Sequence, residues 1–270
     1  MKNAELFYLL EMPGEVAERL QEYEKSKTDS LEMRITDLIA DINSMKGLEG
    51  AIKEFVGEDP DGIKMLWEEL NIASGIFGEY QRKGIPAKIF LDTMKFCTRF
   101  LNEYYKTYGS YRFIWGWWFP RQLSMREFRI GALEYEYFEE KCISVHIPSD
   151  ADLSKPSVMK SLAEFGEFCK KYYPEWSGME LCCESWLLSP ALNKVLGEDS
   201  NILQFQSLFE VKETDEESMA VLDWVFPGFD HVSEQLPERT SLQRNLKKYL
   251  LSGGKTGWSK GVLRREIFEL

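Results

Sequence analysis

Residues 126–147 read REFRIGALEYEYFEEKCISVHI, and the spacing of apolar side chains in this stretch decides the fold of the second half of the chain. Phe128 and Ile130 alternate with polar neighbours, as do Leu133, Tyr135 and Tyr137, and the alternation slips by one residue across Gly131-Ala132. A period of two is the signature of a strand, and an extra residue at a glycine is what a β-bulge inserts. Past the slip, Glu134 and Glu136 share one face. The charged run Glu139-Glu140-Lys141 predicts a turn. A second strand then covers Cys142–Ile147, with Ile143, Val145 and Ile147 on one face and Ser144 and His146 on the other. Upstream, Tyr111–Trp118 is short, aromatic and closed by Pro120, which predicts a third antiparallel strand.

Downstream, a loop from Pro148 to Lys155 leads into a helix whose Ser154 or Ser157 can cap it and whose Val158, Leu162, Phe165 and Cys169 share a face. Met179–Glu184 reads as a strand, and Ser189-Pro190 opens a short helix. Ile202–Val211 alternates as a strand. Thr214 with Glu217 is a capping-box spacing, so Asp215–Phe226 reads as a helix. Thr240 opens a last helix that stops at Gly253-Gly254, and Gly261–Phe268 adds a final strand.

The first 110 residues differ in period. Asp59-Pro60 starts a helix running to about Arg82 with Gly84 as its stop. Another begins near Pro86 and carries Phe90, Met94, Cys97, Leu101 and Tyr104 at helical intervals up to Gly109. The expectation is a helical domain over 1–110 and an α/β domain with a mixed sheet over 111–270.

Composition narrows the function. With 44% hydrophobic and 14% aromatic residues the chain is globular, and its net charge of -12 disfavours nucleic acid or anionic lipid as a general partner. No apolar run reaches the ~20 residues of a membrane helix, and the N-terminus lacks a secretory pattern. Five cysteines in no paired spacing and only two histidines signal neither a disulfide framework nor a metal site, so the expected location is the cytoplasm and the expected metal content is none.

Arg121-Gln122, FRIGALEYEY at 128–137, SVHIP at 144–148, SWLLSPAL at 185–192 and DSNILQFQ at 199–206 resemble the GNAT-like C-terminal domain that follows a helical N-terminal domain in a group of bacterial N-acyltransferases. The resemblance implies transfer of an acyl group from acyl-CoA, bound as a co-substrate rather than a tight cofactor, to an amine acceptor. It also implies that the pantetheine arm pairs with a splayed strand edge while the pyrophosphate rests on the next helix N-terminus. That turn in the family carries glycines; here it is Ser149-Asp150-Ala151-Asp152-Leu153-Ser154-Lys155, with two acids and no glycine. Ser154 and Lys155 at this turn, and Lys255 and Lys260 in the segment SGGKTGWSKG, are the candidate donor-binding residues.

Amine acylation needs a base, and His146 at a strand end is the best placed, with Glu134 and Glu184 as further candidates. Arg121, Gln122 and Arg129 suit an anionic group, Glu136 a cationic acceptor, and Ser185, Trp186 and Asn201 a pocket rim. Cys183 or Ser185 is a weak nucleophile candidate without a partner histidine. The alternative function is a catalytically silent GNAT-fold protein that binds a small ligand or peptide. The oligomeric state is open.

Overall fold

The computed structural model describes residues 1–137 and 142–268, so the turn expected at Glu139-Glu140-Lys141 lies outside the described residues. The chain forms two compact units, Met1–Arg129 and Ile130–Leu270.

The first unit is helical: α1 (Asn3–Leu9), α2 (Gly14–Ser26), α3 (Ile35–Ala40), α4 (Ile42–Val56), α5 (Ile63–Lys83), α6 (Ala87–Met94), α7 (Phe96–Tyr108) and α8 (Pro120–Leu123). Its centre is α5, which buries Leu66, Leu70, Ala73, Ile76 and Tyr80 completely and is apolar around most of its circumference, as a helix enclosed by others must be. Asp59 Oδ2 accepts the Met65 amide at 2.9 Å, satisfying a donor that the helix start leaves open. The single helix expected after Pro86 is broken at Lys95 into α6 and α7.

Tyr111–Trp118 is not a strand. Its rings dock on helix side chains: Trp115 stacks on Phe100 at 4.3 Å, and Phe119, just beyond, stacks on Phe96 at 5.3 Å. Aromatic residues suit any half-buried surface, and here that surface is α7 rather than a pleated sheet.

The second unit is built on a mixed sheet. Its strands are β1 (Glu127–Ile130), which crosses the division point, then β2 (Leu133–Tyr137), β3 (Cys142–His146), β4 (Glu180–Ser185), β5 (Phe209–Asp215) and β6 (Trp258–Leu263), in the spatial order β1-β2-β3-β4-β6-β5. The helices are α9 (Lys155–Tyr172), α10 (Asn201–Ser207), α11 (Val221–Val225) and α12 (Ser241–Leu251). The β3–α9–β4 crossover joins parallel neighbours, whereas β2–β3, β4–β6 and β5–β6 are antiparallel.

Four expectations are corrected. The slip at Gly131-Ala132 is a two-residue turn between β1 and β2 rather than a bulge, with Gly131 at φ 63°. Ile202–Val211 is α10 followed by β5, because Ser200 Oγ accepts the Ile202 amide and caps a helix whose Phe205 meets Phe209 at 5.0 Å. Asp215–Phe226 contains only the short α11. Thr214 Oγ1 instead pairs with Ser259 Oγ at 2.9 Å across β5 and β6, so the capping spacing has another use. Gly261–Phe268 divides between the end of β6 and a last turn of helix, α13 (Arg265–Phe268), and β6 begins earlier, at Trp258. Thr240 caps α12 as expected, its hydroxyl accepting the Gln243 amide.

Ser161 on α9 ties the helix to the start of the sheet. Its hydroxyl donates to the Ile130 carbonyl, takes the Leu133 amide at 3.3 Å and meets the Tyr135 hydroxyl at 2.9 Å, and Tyr135 stacks on Phe165 at 4.0 Å. A side chain at Gly131 would lie 3.1 Å from the Ser161 Cα. Replacing Ser161 with Ala leaves buried backbone groups unpaired, and Gly131→Ala adds positive-φ strain to a tight contact. Each is expected to cost about 1–3 kcal/mol in urea unfolding, and Ser161→Ala at wild-type stability would refute this description of the joint.

Candidate active site

The site residues nearest to chemistry lie on β2 and β3. In the antiparallel register Glu134 faces His146 and Glu136 faces Ser144, so these four share one side of the sheet while Tyr135 lies on the α9 side. His146 Nε2 is 2.8 Å from Glu136 Oε2, a diagonal pair across the two strands. Glu136 is buried and the His146 side chain is about one-quarter exposed, at 25%. In the tautomer whose Nε2 donates to Glu136, the lone pair is on Nδ1, and the contact orients the ring. Glu134 is buried on the same face. Both carboxylates are therefore inside the protein, not on a solvated strand face.

The strand after this one opens the sheet. Among the described residues β3 and β4 pair in parallel at Cys142↔Glu180, Ile143↔Leu181 and Ser144↔Cys182, and not beyond Ser144. β3 continues to His146 and β4 to Ser185. Continued pairing would set His146 opposite Glu184; instead the strands separate before reaching that position. β4 is held on its other side by β6, through Cys182↔Val262 to Ser185↔Ser259.

Glu184 and Lys260 face one another in that register, and their side chains join at 2.7 Å, so a candidate base and a candidate donor-binding lysine neutralise each other. The Glu184 contact also raises the Lys260 pKa. Lys255 pairs with Glu217.

The α9 N-terminus also has an occupant. Asp152 accepts both the amide and the hydroxyl of Ser154 at 2.9 Å, and these bonds hold its carboxyl below the ordinary range. Pro156 in the first turn has no amide to offer. An aspartate thus sits where the resemblance places a pyrophosphate. Lys155 is exposed on the first turn.

Ser185 Oγ accepts the Leu187 amide at 3.1 Å, and Trp186 packs in a buried cluster with Leu192, Val221 and Phe226. Asn201 opens α10 and is exposed. Cys183 is buried and its thiol is pushed up by burial, which removes it as a nucleophile.

In the first unit, the Arg121 guanidinium lies 4.2 Å from the Trp118 ring centre. The Arg129 amide donates to Thr93 Oγ1 at 3.0 Å. Gln122 Nε2 donates to Glu127 Oε1 at 2.8 Å, and Trp118 Nε1 donates to Glu127 Oε2 at 3.0 Å. Glu127, fully buried, drew no attention in the sequence because a lone acid in an aromatic stretch has no pattern. Asp152 did have a signal: it stands two residues before Ser154, the offset at which an aspartate closes on a backbone amide.

Solved structures with the same fold include an acyltransferase in complex with decanoyl-CoA and teicoplanin, at 18% identity and TM-score 0.70, covering 97% of this chain and 99% of that one. An acyltransferase in complex with CoA and 10C-teicoplanin gives 18% identity and TM-score 0.71, covering 98% and 99%. Among curated proteins none matches this sequence. Residues 1–125 match the N-acyltransferase N-terminal domain and residues 127–263 the GNAT-like C-terminal domain. The two models together span residues 1–125 and 127–263, and the chain belongs to the family of GNAT-like N-acyltransferases that they describe.

Proposed function

We propose that this protein is an acyl-CoA-dependent N-acyltransferase acting on an amine of a small molecule, and that it works in the cytoplasm. The observation that carries the reading is the early parting of β3 and β4, with His146 at the end of one strand and, at the end of the other, a β3-facing edge that no longer ladders with β3. Amides and carbonyls freed there can bond the pantetheine arm as a neighbouring strand would. The structural relatives bound to acyl-CoA and teicoplanin support a donor and an acceptor of this kind.

In the proposed reaction the acceptor loses an ammonium proton to His146, directly or through water. The freed amine nitrogen attacks the thioester carbonyl carbon, the C–S bond breaks, and CoA leaves as the thiol after taking up a proton. Glu136 keeps the imidazole in its working tautomer. Glu134 is placed to orient the acceptor's cation. Arg121, Gln122, Arg129, Ser185, Trp186 and Asn201 keep structural partners or positions that make them secondary candidates.

Calorimetric titration with acetyl-CoA and longer acyl-CoAs is expected to give saturable binding and a raised Tm. No binding at millimolar concentration would sink the proposal and favour the silent ligand-binding alternative. His146→Ala is expected to lower kcat by roughly 10²-fold or more with acyl-CoA affinity retained, and Glu136→Gln to lower it less. A kcat unchanged in His146→Ala would remove it as the base.

Asp152→Ala clears a negative charge from the α9 N-terminus and frees the Ser154 amide. If the pyrophosphate approaches that turn, the variant binds acyl-CoA more tightly, by several-fold or about 1 kcal/mol; unchanged or weaker binding would place the phosphates elsewhere.

A further inference from the structure

The helical unit contains a cavity of about 440 Å³ whose walls include Val56, Met65, Phe113 and Trp117, with Glu49 and Asp59 among its lining residues. At its mouth Ile114 is 54% and Trp117 45% exposed, an unusual position for large apolar side chains on a surface. Behind it lies Glu69, one helical turn past Met65 on the same face of α5. Glu69 has no solvent exposure, and neither of its carboxyl oxygens has a hydrogen-bond partner. A side chain built at Gly116, which lines the cavity, would collide with Met65 Sδ and lie 3.5 Å from Glu69 Oε1, so this oxygen lies directly behind the cavity wall.

A buried carboxyl without a partner is costly, and native proteins retain one where something else satisfies it. Burial and the nearby Glu49 and Asp59 raise the Glu69 pKa well above the carboxylate range, and a cation brought to it would act against that rise. Among the cavity's lining residues Lys53 is the cation, and it is paired with Glu49. What remains is an aromatic and aliphatic enclosure with an acidic rim and an unmatched acid behind it. That combination selects a positive charge on an apolar body, since a bare metal ion would gain nothing from Val56, Phe113 and Trp117.

We propose that this cavity is a binding site for an organic ammonium group carried on an aromatic or aliphatic scaffold, with Met65 moving aside so that the ammonium reaches Glu69. Met65 is suited to this because its unbranched thioether repacks readily. The site lies wholly within residues 49–117 and is independent of the acyl-transfer reading.

The test is calorimetry and thermal shift on the full chain with phenethylammonium, alongside phenethyl alcohol as a neutral analogue of similar shape and magnesium chloride as a bare cation. The expected result is saturable binding of phenethylammonium that the alcohol does not reproduce, weakened at least tenfold in Glu69→Gln and also weakened in Trp117→Leu. Equal binding of the alcohol to the wild-type protein overturns the proposal without any variant. So does a Glu69→Gln protein that binds as wild type, a response to magnesium alone, or no response at millimolar phenethylammonium.

Discussion

Two parallel strands can share hydrogen bonds only while they run side by side, and β4 is asked to do this with β3 while it also pairs antiparallel with β6. Among the described residues it does so with β3 for three residues and with β6 for four. β4 stays with β6 as far as Ser185 after its ladder with β3 has stopped at Cys182. The order β1-β2-β3-β4-β6-β5 therefore has a seam in its middle. The candidate base, the parted backbone and the α9 N-terminus are connected in the chain, since the loop after β3 leads into α9 and α9 delivers the chain to β4.

Much of this was legible in the residues. The alternation in Leu133–Tyr137 and Cys142–His146 placed Glu134, Glu136, Ser144 and His146 on one face, because side-chain period in a strand depends on nothing beyond the strand. The stops at Gly84 and Gly109 were equally local, both residues adopting positive φ. Two of the expectations that failed needed knowledge of a partner. Tyr111–Trp118 has strand composition, yet what its rings cover is a helix. Thr214 has capping spacing, yet its hydroxyl faces Ser259 across a ladder that joins residues far apart in sequence. The diagonal bond between His146 and Glu136 could be read as adjacency on a face but not as a bond, which needs the register between two strands.

Charge is arranged with the same economy of local pairing. The basic C-terminal segment looked like a phosphate cradle, but Lys255 and Lys260 are each matched by a glutamate brought in by folding. These exposed pairs contribute little stability, and they lower the positive potential that a free phosphate would meet. Asp152 acts in the opposite sense at α9, supplying the protein's own anion to the amide of its N-cap residue Ser154. A donor that binds here would find its recognition weighted toward backbone pairing and the acyl chain rather than toward phosphate charge.

At the far margin of the sheet, β5 carries Glu210, Lys212, Glu213 and Thr214, and its register shifts between Val211 and Glu213. Outward charges and an offset in the strand both spoil the flat, regular row of amides that another molecule would need to extend the sheet. Crowded copies of this protein consequently meet a margin that repels them, and the tendency of an open sheet to grow into fibrils is checked on that side by the strand's own side chains.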